Sequence, residues 1–117
     1  MTTTAEIKDA ALREQLGEAE RLLDEERFRD AVERCADAYL LIMRRHPELR
    51  PPPSDGSEDG PLFLMPPTAW PVGLGLRITF DAAGMPHKSY EKERFTFSAA
   101  ATYFEFVLDL AARAERA

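Results

Sequence analysis

The chain has 117 residues, of which 44 % are hydrophobic, and a formal net charge of −6 at pH 7. This length and apolar fraction predict one small globular domain spanning residues 1–117, and not a disordered chain. The acidic balance, without a polybasic segment, argues against nucleic-acid binding, which needs basic groups to neutralise phosphates. The single cysteine, Cys35, indicates a reducing compartment, and no apolar run reaches the roughly 18 residues of a membrane span. With no signal-peptide pattern either, we expect a cytoplasmic protein with no membrane association.

Residues 5–46 carry two helical patterns in series. The first begins after a candidate N-cap, Thr4, and repeats apolar residues on one helix face at Leu12, Leu16, Ala19 and Leu23. The second runs from Phe28 to His46. The spacing of five residues between Leu23 and Phe28 rotates the apolar stripe by roughly 140°, which predicts a turn at 24–27 and an antiparallel helix hairpin. Neither glycine nor proline marks that turn, so one long helix kinked at 24–27 remains an alternative.

A proline-rich connector over residues 47–71 contains eight of the nine prolines. Its acidic Gly/Ser piece at 54–60 is typical of a mobile loop. The flanking residues Leu62–Met65 and Trp70 are too apolar to be left in water, so we expect part of the connector to lie along the core.

Residues 72–117 predict a β-hairpin followed by a helix. Alternating apolar residues from Leu74 to Phe80 indicate a half-buried strand, and residues 81–84 offer a turn ending in glycine. A charged second strand over about 87–95 would be an exposed edge. Ser98 is a candidate N-cap for the last helix, which is apolar over more than a third of its circumference. The sequence therefore predicts a mainly helical α+β domain in the order α-α-β-β-α: helix hairpin, proline-rich connector, small β-hairpin and C-terminal helix.

Residues 15–46 resemble a single tetratricopeptide-like helical hairpin. Phe28, Ala31 and Ala38 stand at the spacings of the aromatic and the two small residues of that repeat. Cys35 replaces a larger apolar residue, and Met43 stands where a proline is usual. The resemblance implies helix–turn–helix packing and binding to a peptide or protein.

The same segment is similar, more faintly, to the helical HEPN domains, which are associated with nucleotides and RNA. Nuclease members of that family have an arginine followed four to six residues later by a histidine. Here His46 directly follows Arg45, and Arg77 lies ten positions before His87, so the nuclease motif is absent.

The chemistry-bearing residues favour structural interpretations. One cysteine and two distant histidines do not supply the clustered ligands of a zinc site, so we expect no metal and no cofactor. Cys35 falls on the apolar stripe of the second helix and is predicted to be a buried hydrophobe and not a nucleophile. His46 is predicted to be a helix C-cap, and His87 a surface residue.

These absences, together with more apolar side chains than one small core easily hides, favour a non-enzymatic protein–protein interaction or adaptor domain that forms a homodimer. The predicted interface residues are Phe63, Met65, Trp70, Tyr103 and Phe106.

The alternative is a small-molecule or nucleotide-sensing domain, or an accessory subunit of a nuclease-type system. It would use a pocket between the β-hairpin and the last helix. In that case Arg77, Lys92 and Arg94 are candidate contacts for an anion.

Overall fold

The computed structural model describes residues 3–51 and 67–116. It confirms the predicted α+β class and the order α-α-β-β-α. The elements are α1 (Ala10–Asp24), α2 (Phe28–Arg45), β1 (Leu76–Phe80), β2 (Pro86–Tyr90) and α3 (Phe97–Arg116). A short 3-10 turn at Thr4–Glu6 precedes α1, and another at Pro47–Leu49 follows α2. The predicted mobile loop at 54–60 lies outside the described residues.

A tight turn separates α1 from α2, as the rotation of the apolar stripe predicted. Glu26 adopts the left-handed conformation with φ 62°. The amide of Arg27 donates to Leu22 O at 2.9 Å, and the amide of Glu26 donates to Leu23 O at 3.1 Å. These two bonds form a Schellman motif, which satisfies the last carbonyls of α1 and ends the helix. The alternative of one long kinked helix is therefore wrong.

The helix starts differ from the two predicted N-caps. Thr4 begins the 3-10 turn, and the N-cap of α1 is Asp9, whose carboxylate accepts from the amides two and three residues onward at 3.1 and 3.2 Å. Ser98 lies inside α3, which begins at Phe97. The hydroxyl of Thr96 accepts from the amide three residues onward at 3.1 Å, so Thr96 is the residue that caps α3.

The β-hairpin pairs β1 with β2 antiparallel, with Leu76 opposite Tyr90 and Phe80 opposite Pro86. Its loop is a three-residue connection in which Gly84 has φ 82° and donates to Asp81 O at 2.9 Å. This is the turn with a glycine bulge that is common in three-residue hairpin loops. Asp81 also accepts from two amides of the loop at 2.9 Å each, which holds the turn closed.

Both strands are shorter than predicted. The second was expected to reach residue 95 but ends at Tyr90. The amides of Glu91 and Lys92 both donate to Gly75 O, at 2.7 and 3.3 Å. Two successive donors that share one acceptor form a β-bulge, and the regular pairing of the hairpin ends there.

The three helices and β1 enclose a single hydrophobic core. Along β1 the residues facing the helices are buried, namely Leu76, Ile78 and Phe80, whereas Arg77 and Thr79 between them are half-buried. All five residues of β2 are exposed, so the prediction of an exposed second strand is confirmed. The hairpin therefore covers the core with one strand and extends the other into solvent.

Candidate interaction surface

Trp70 and Tyr103, both predicted for an interface, lie in the core. Their side chains are 2 % and 0 % exposed. The two rings stack with centroids 4.5 Å apart and planes 13° from parallel. Burial raises the pKa of the Tyr103 phenol, an effect that its hydrogen bonding to Leu76 partly offsets. Neither side chain is available to a partner on the surface of this fold.

Both side chains are held inside by the backbone of Leu76. The Tyr103 hydroxyl accepts from Leu76 N at 3.1 Å and donates to Leu76 O at 3.0 Å. The Trp70 indole Nε1 donates to the same carbonyl oxygen at 2.9 Å. A buried polar ring needs such a partner, and here the first residue of β1 supplies it. We call this arrangement the Leu76 clamp.

The other predicted interface residues have mixed positions. Phe106 is half-buried, with its ring centroid 6.2 Å from that of Trp70 and 5.9 Å from that of Tyr39. Phe63 and Met65 lie outside the described residues. Trp70, a residue of the connector, does lie along the core, as expected for part of that segment.

The space predicted to form a pocket between the hairpin and α3 is filled by aromatic side chains. Phe95 is buried, with its ring 6.5 Å from that of Tyr103. Arg77 alternates with the buried residues of β1 and so faces away from this space. Lys92 and Arg94 are exposed after the end of β2. The three candidate anion contacts are not brought together around a cavity in this space.

The remaining titratable candidates have structural positions. Cys35 is fully buried on α2, and burial raises the pKa of its thiol to about 12. His46 is the C-cap residue of α2. His87 is exposed on β2, with Nε2 2.8 Å from Asp81 Oδ2, a contact that lowers the pKa of Asp81. No cluster of three or more metal-ligating side chains occurs among residues 3–51 and 67–116.

The large apolar side chains that remain exposed are confined to one part of the described chain. They are Val72, Met85, Tyr90 and Phe97, with exposures of 40, 59, 39 and 58 %. None belongs to α1 or α2. Met85 directly precedes β2, Tyr90 ends it, and Phe97 begins α3. The exposed apolar residues around β2 are therefore candidates for an interaction surface.

Tyr90 connects this strand to α2. Its hydroxyl donates to Glu33 Oε1 at 2.8 Å, and the Arg29 guanidinium lies 4.4 Å from the ring centroid. Burial and the neighbouring Glu33 carboxylate raise the pKa of Tyr90 to about 12. Both contacts orient the ring before any partner arrives, and a pre-oriented aromatic side chain loses little entropy on binding.

Phe97 is supported in the same way by the first residue of α2. The rings of Phe28 and Phe97 make an edge-to-face contact with centroids 5.9 Å apart. Phe28 and Arg29 both belong to the first turn of α2, so this turn supports both Phe97 and Tyr90. We define the edge surface as Met85, β2, Phe97 and the supporting residues Phe28 and Arg29.

The backbone at the outer edge of β2 belongs to this surface. Asp81 N donates to Met85 O at 3.0 Å, and Glu91 N donates to Gly75 O, so odd-numbered residues form the hydrogen-bonded pairs of the hairpin. Lys88 and Tyr90 therefore direct their N–H and C=O groups away from β1. Pro86 directs only a carbonyl outward, since it has no N–H.

Met85, Tyr90 and Phe97 were not among the predicted interface residues. Phe97 lies three residues before Ala100 and so falls on the apolar stripe of α3. It is exposed because the first turn of α3 extends beyond the core, which periodicity alone does not reveal. Its place directly before the predicted N-cap was the available indication.

The sequence matches no protein-family model, no curated protein and no solved structure. Among the helices of the described residues, none combines the length and the apolar character needed to cross a membrane. The geometry of the edge surface is therefore the feature that bears on function.

Proposed function

We propose that this protein is a non-enzymatic protein–protein interaction domain that binds through the edge surface. Its proposed partner is a second copy of the chain, so that the protein forms a homodimer. The observation that carries the proposal is that, within residues 3–51 and 67–116, the exposed large apolar side chains all fall in the segment 72–97, which contains a fully exposed strand. A solvent-facing strand with aromatic residues beside it combines backbone hydrogen-bonding groups with apolar anchors. Those are the two components of binding by strand addition.

The alternative, sensing of a small molecule or nucleotide, has no comparable support. Trp70, Phe95 and Tyr103 fill the space in which the ligand would bind. A thermal-shift screen with nucleotides and common metabolites addresses it directly. We expect no change in melting temperature, and a reproducible rise would favour the sensing function.

Site-specific photo-crosslinking tests the interaction function. Phe97 is replaced by p-benzoylphenylalanine, and a control carries the same group at Glu14, an exposed residue of α1. We expect the probe at position 97 to give a discrete adduct of twice the mass of the chain. A probe at 97 that forms no more adduct than the probe at 14 would contradict the proposal.

A further inference from the structure

The two edges of the β-hairpin differ in what binds their outward backbone groups. On β1, both outward groups of Leu76 are occupied by the Leu76 clamp. On β2, the outward groups of Lys88 and Tyr90 lie on a strand whose five residues are all exposed. An uncovered edge of this kind can accept another strand. The outer edge of β2 is therefore open to strand addition.

We propose that β2 pairs antiparallel with β2 of a second copy about a two-fold axis through Ser89, an inference that rests on the proposed function. The result is a four-stranded sheet in the order β1-β2-β2′-β1′, with the helices of both copies on the same face. In this register Lys88 of each copy faces Tyr90 of the other. Each such pair exchanges two backbone hydrogen bonds, since all the N–H and C=O groups involved point outward.

The amino-acid sequence of β2 favours this register over its neighbours. An axis through Lys88 would set two lysines directly opposite each other and place Pro86, which lacks an N–H, against Tyr90. An axis through Tyr90 would set Lys88 opposite Lys92, again two like charges. In addition, Lys92 N is turned toward Gly75 O. The axis through Ser89 sets no like charges opposite each other. It places Pro86 opposite Lys92, so the two residues that lack an outward N–H meet at the ends of the paired segment.

The side chains are also complementary about Ser89. His87 of one copy faces Glu91 of the other on the outer face of the sheet, and an opposite-charge pair across strands is favourable when His87 is protonated. Lys88 faces Tyr90, and because Arg29 already covers one face of that ring, the contact offered is packing of the Lys88 methylene groups beside it. Met85 and Phe97 add apolar groups at the border of the edge surface. A second copy therefore finds complementary groups between His87 and Glu91.

Cysteine cross-linking of the full chain tests the register. Ser89 forms the close, non-hydrogen-bonded pair on the axis, where Cα atoms lie about 4.5 Å apart, within disulfide range. Ser89→Cys should therefore form an intermolecular disulfide under mild oxidation far faster than the control Glu14→Cys, an exposed position of α1 outside the edge surface. Cys35 is buried in both variants and does not compete.

Sedimentation equilibrium of the wild type and of Lys88→Pro tests the pairing itself. Lys88 N points away from β1, so proline at this position keeps the hairpin bonds and removes one intermolecular donor from each copy. We expect a concentration-dependent dimer in the wild type. In Lys88→Pro we expect the dissociation constant to rise roughly five- to 150-fold, as the loss of two hydrogen bonds implies. Circular dichroism checks that Lys88→Pro is folded. If it is not, the cross-linking of Ser89→Cys still tests the inference, because it does not depend on the proline variant.

Two results would overturn the inference. A dimer in which Ser89→Cys and Glu14→Cys cross-link alike would mean that the copies meet on another surface, and the interaction function would stand. A chain that is monomeric at every concentration would exclude pairing between copies. In that case, a photo-crosslink between position 97 and a different protein would mean that the domain interacts with that protein and not with a second copy.

Discussion

Removing the Tyr103 hydroxyl isolates the contribution of the Leu76 clamp to stability. Tyr103→Phe keeps the ring that stacks on Trp70 but leaves the buried N–H of Leu76 without its hydroxyl acceptor. An unsatisfied buried donor costs about 1–3 kcal/mol. For a domain of this size, that cost lowers the melting temperature by roughly 4–15 °C. The Leu76 carbonyl keeps the Trp70 indole as its donor, so the loss should remain within this range.

Urea unfolding followed by far-UV circular dichroism measures the free energy of unfolding for each variant. Tyr90→Phe is the matched control, because it removes a hydroxyl bound to an exposed carboxylate and should cost less than about 1 kcal/mol. Trp70→Phe completes a double-mutant cycle. The double variant leaves the Leu76 carbonyl with neither donor, so its cost should exceed the sum of the single costs by about 0.5–3 kcal/mol. If Tyr103→Phe costs no more than Tyr90→Phe, the clamp interpretation is wrong.

Three further predictions follow from single residues. Glu26→Gly should raise the free energy of unfolding by about 0.5–1 kcal/mol in urea unfolding because φ is 62° there, whereas Glu26→Ala should bring no gain. Gly75→Ala should lower the melting temperature markedly, since φ is 125° and an added Cβ would lie 2.6 Å from the Phe95 ring; an unchanged melting temperature would contradict this packing. Burial raises the pKa of Cys35 to about 12, so the thiol loses its proton at a lower pH in the unfolded state than in the folded state. Its stabilising effect is complete below the unfolded pKa of about 9 and falls by about 1.4 kcal/mol per pH unit above it. Denaturant titrations from pH 8 to pH 10 should show a steeper loss of stability in the wild type than in Cys35→Ala, which keeps only the part due to the tyrosines with raised pKa values. Equal pH dependence of the two proteins would contradict this prediction.

The helices could be predicted because their apolar stripes are local and long. The turn at 24–27 could be located even without glycine or proline, since the stripe changes direction between Leu23 and Phe28. Its conformation could not, because Glu26 accepts an unfavourable φ only when the two Schellman bonds form. The predicted strand ends were less accurate than the predicted helices. The second strand ends at Tyr90, where the next two amides both donate to Gly75 O, and this contact depends on the tertiary structure.

The predicted interface shows the limit of arguing from residue type. Trp70 and Tyr103 are the aromatic residues that most often anchor interfaces, yet both are buried here. What holds them inside is the Leu76 backbone, six and 27 residues away in the chain. The exposure of Phe97 is the reverse case, an apolar residue on the helix stripe that extends past the core. Neither outcome can be derived from local sequence.

Amide hydrogen exchange of the wild-type chain at low and high protein concentration tests the central claim most directly. In a single copy of the chain, the amides of Lys88 and Tyr90 point outward into solvent. Ser89 N instead faces Arg77 across the hairpin. The account predicts that exchange at Lys88 and Tyr90 slows as the concentration rises, while exchange at Ser89 changes far less. Exchange at Lys88 and Tyr90 that is fast and independent of concentration would contradict binding of a second copy at the edge surface.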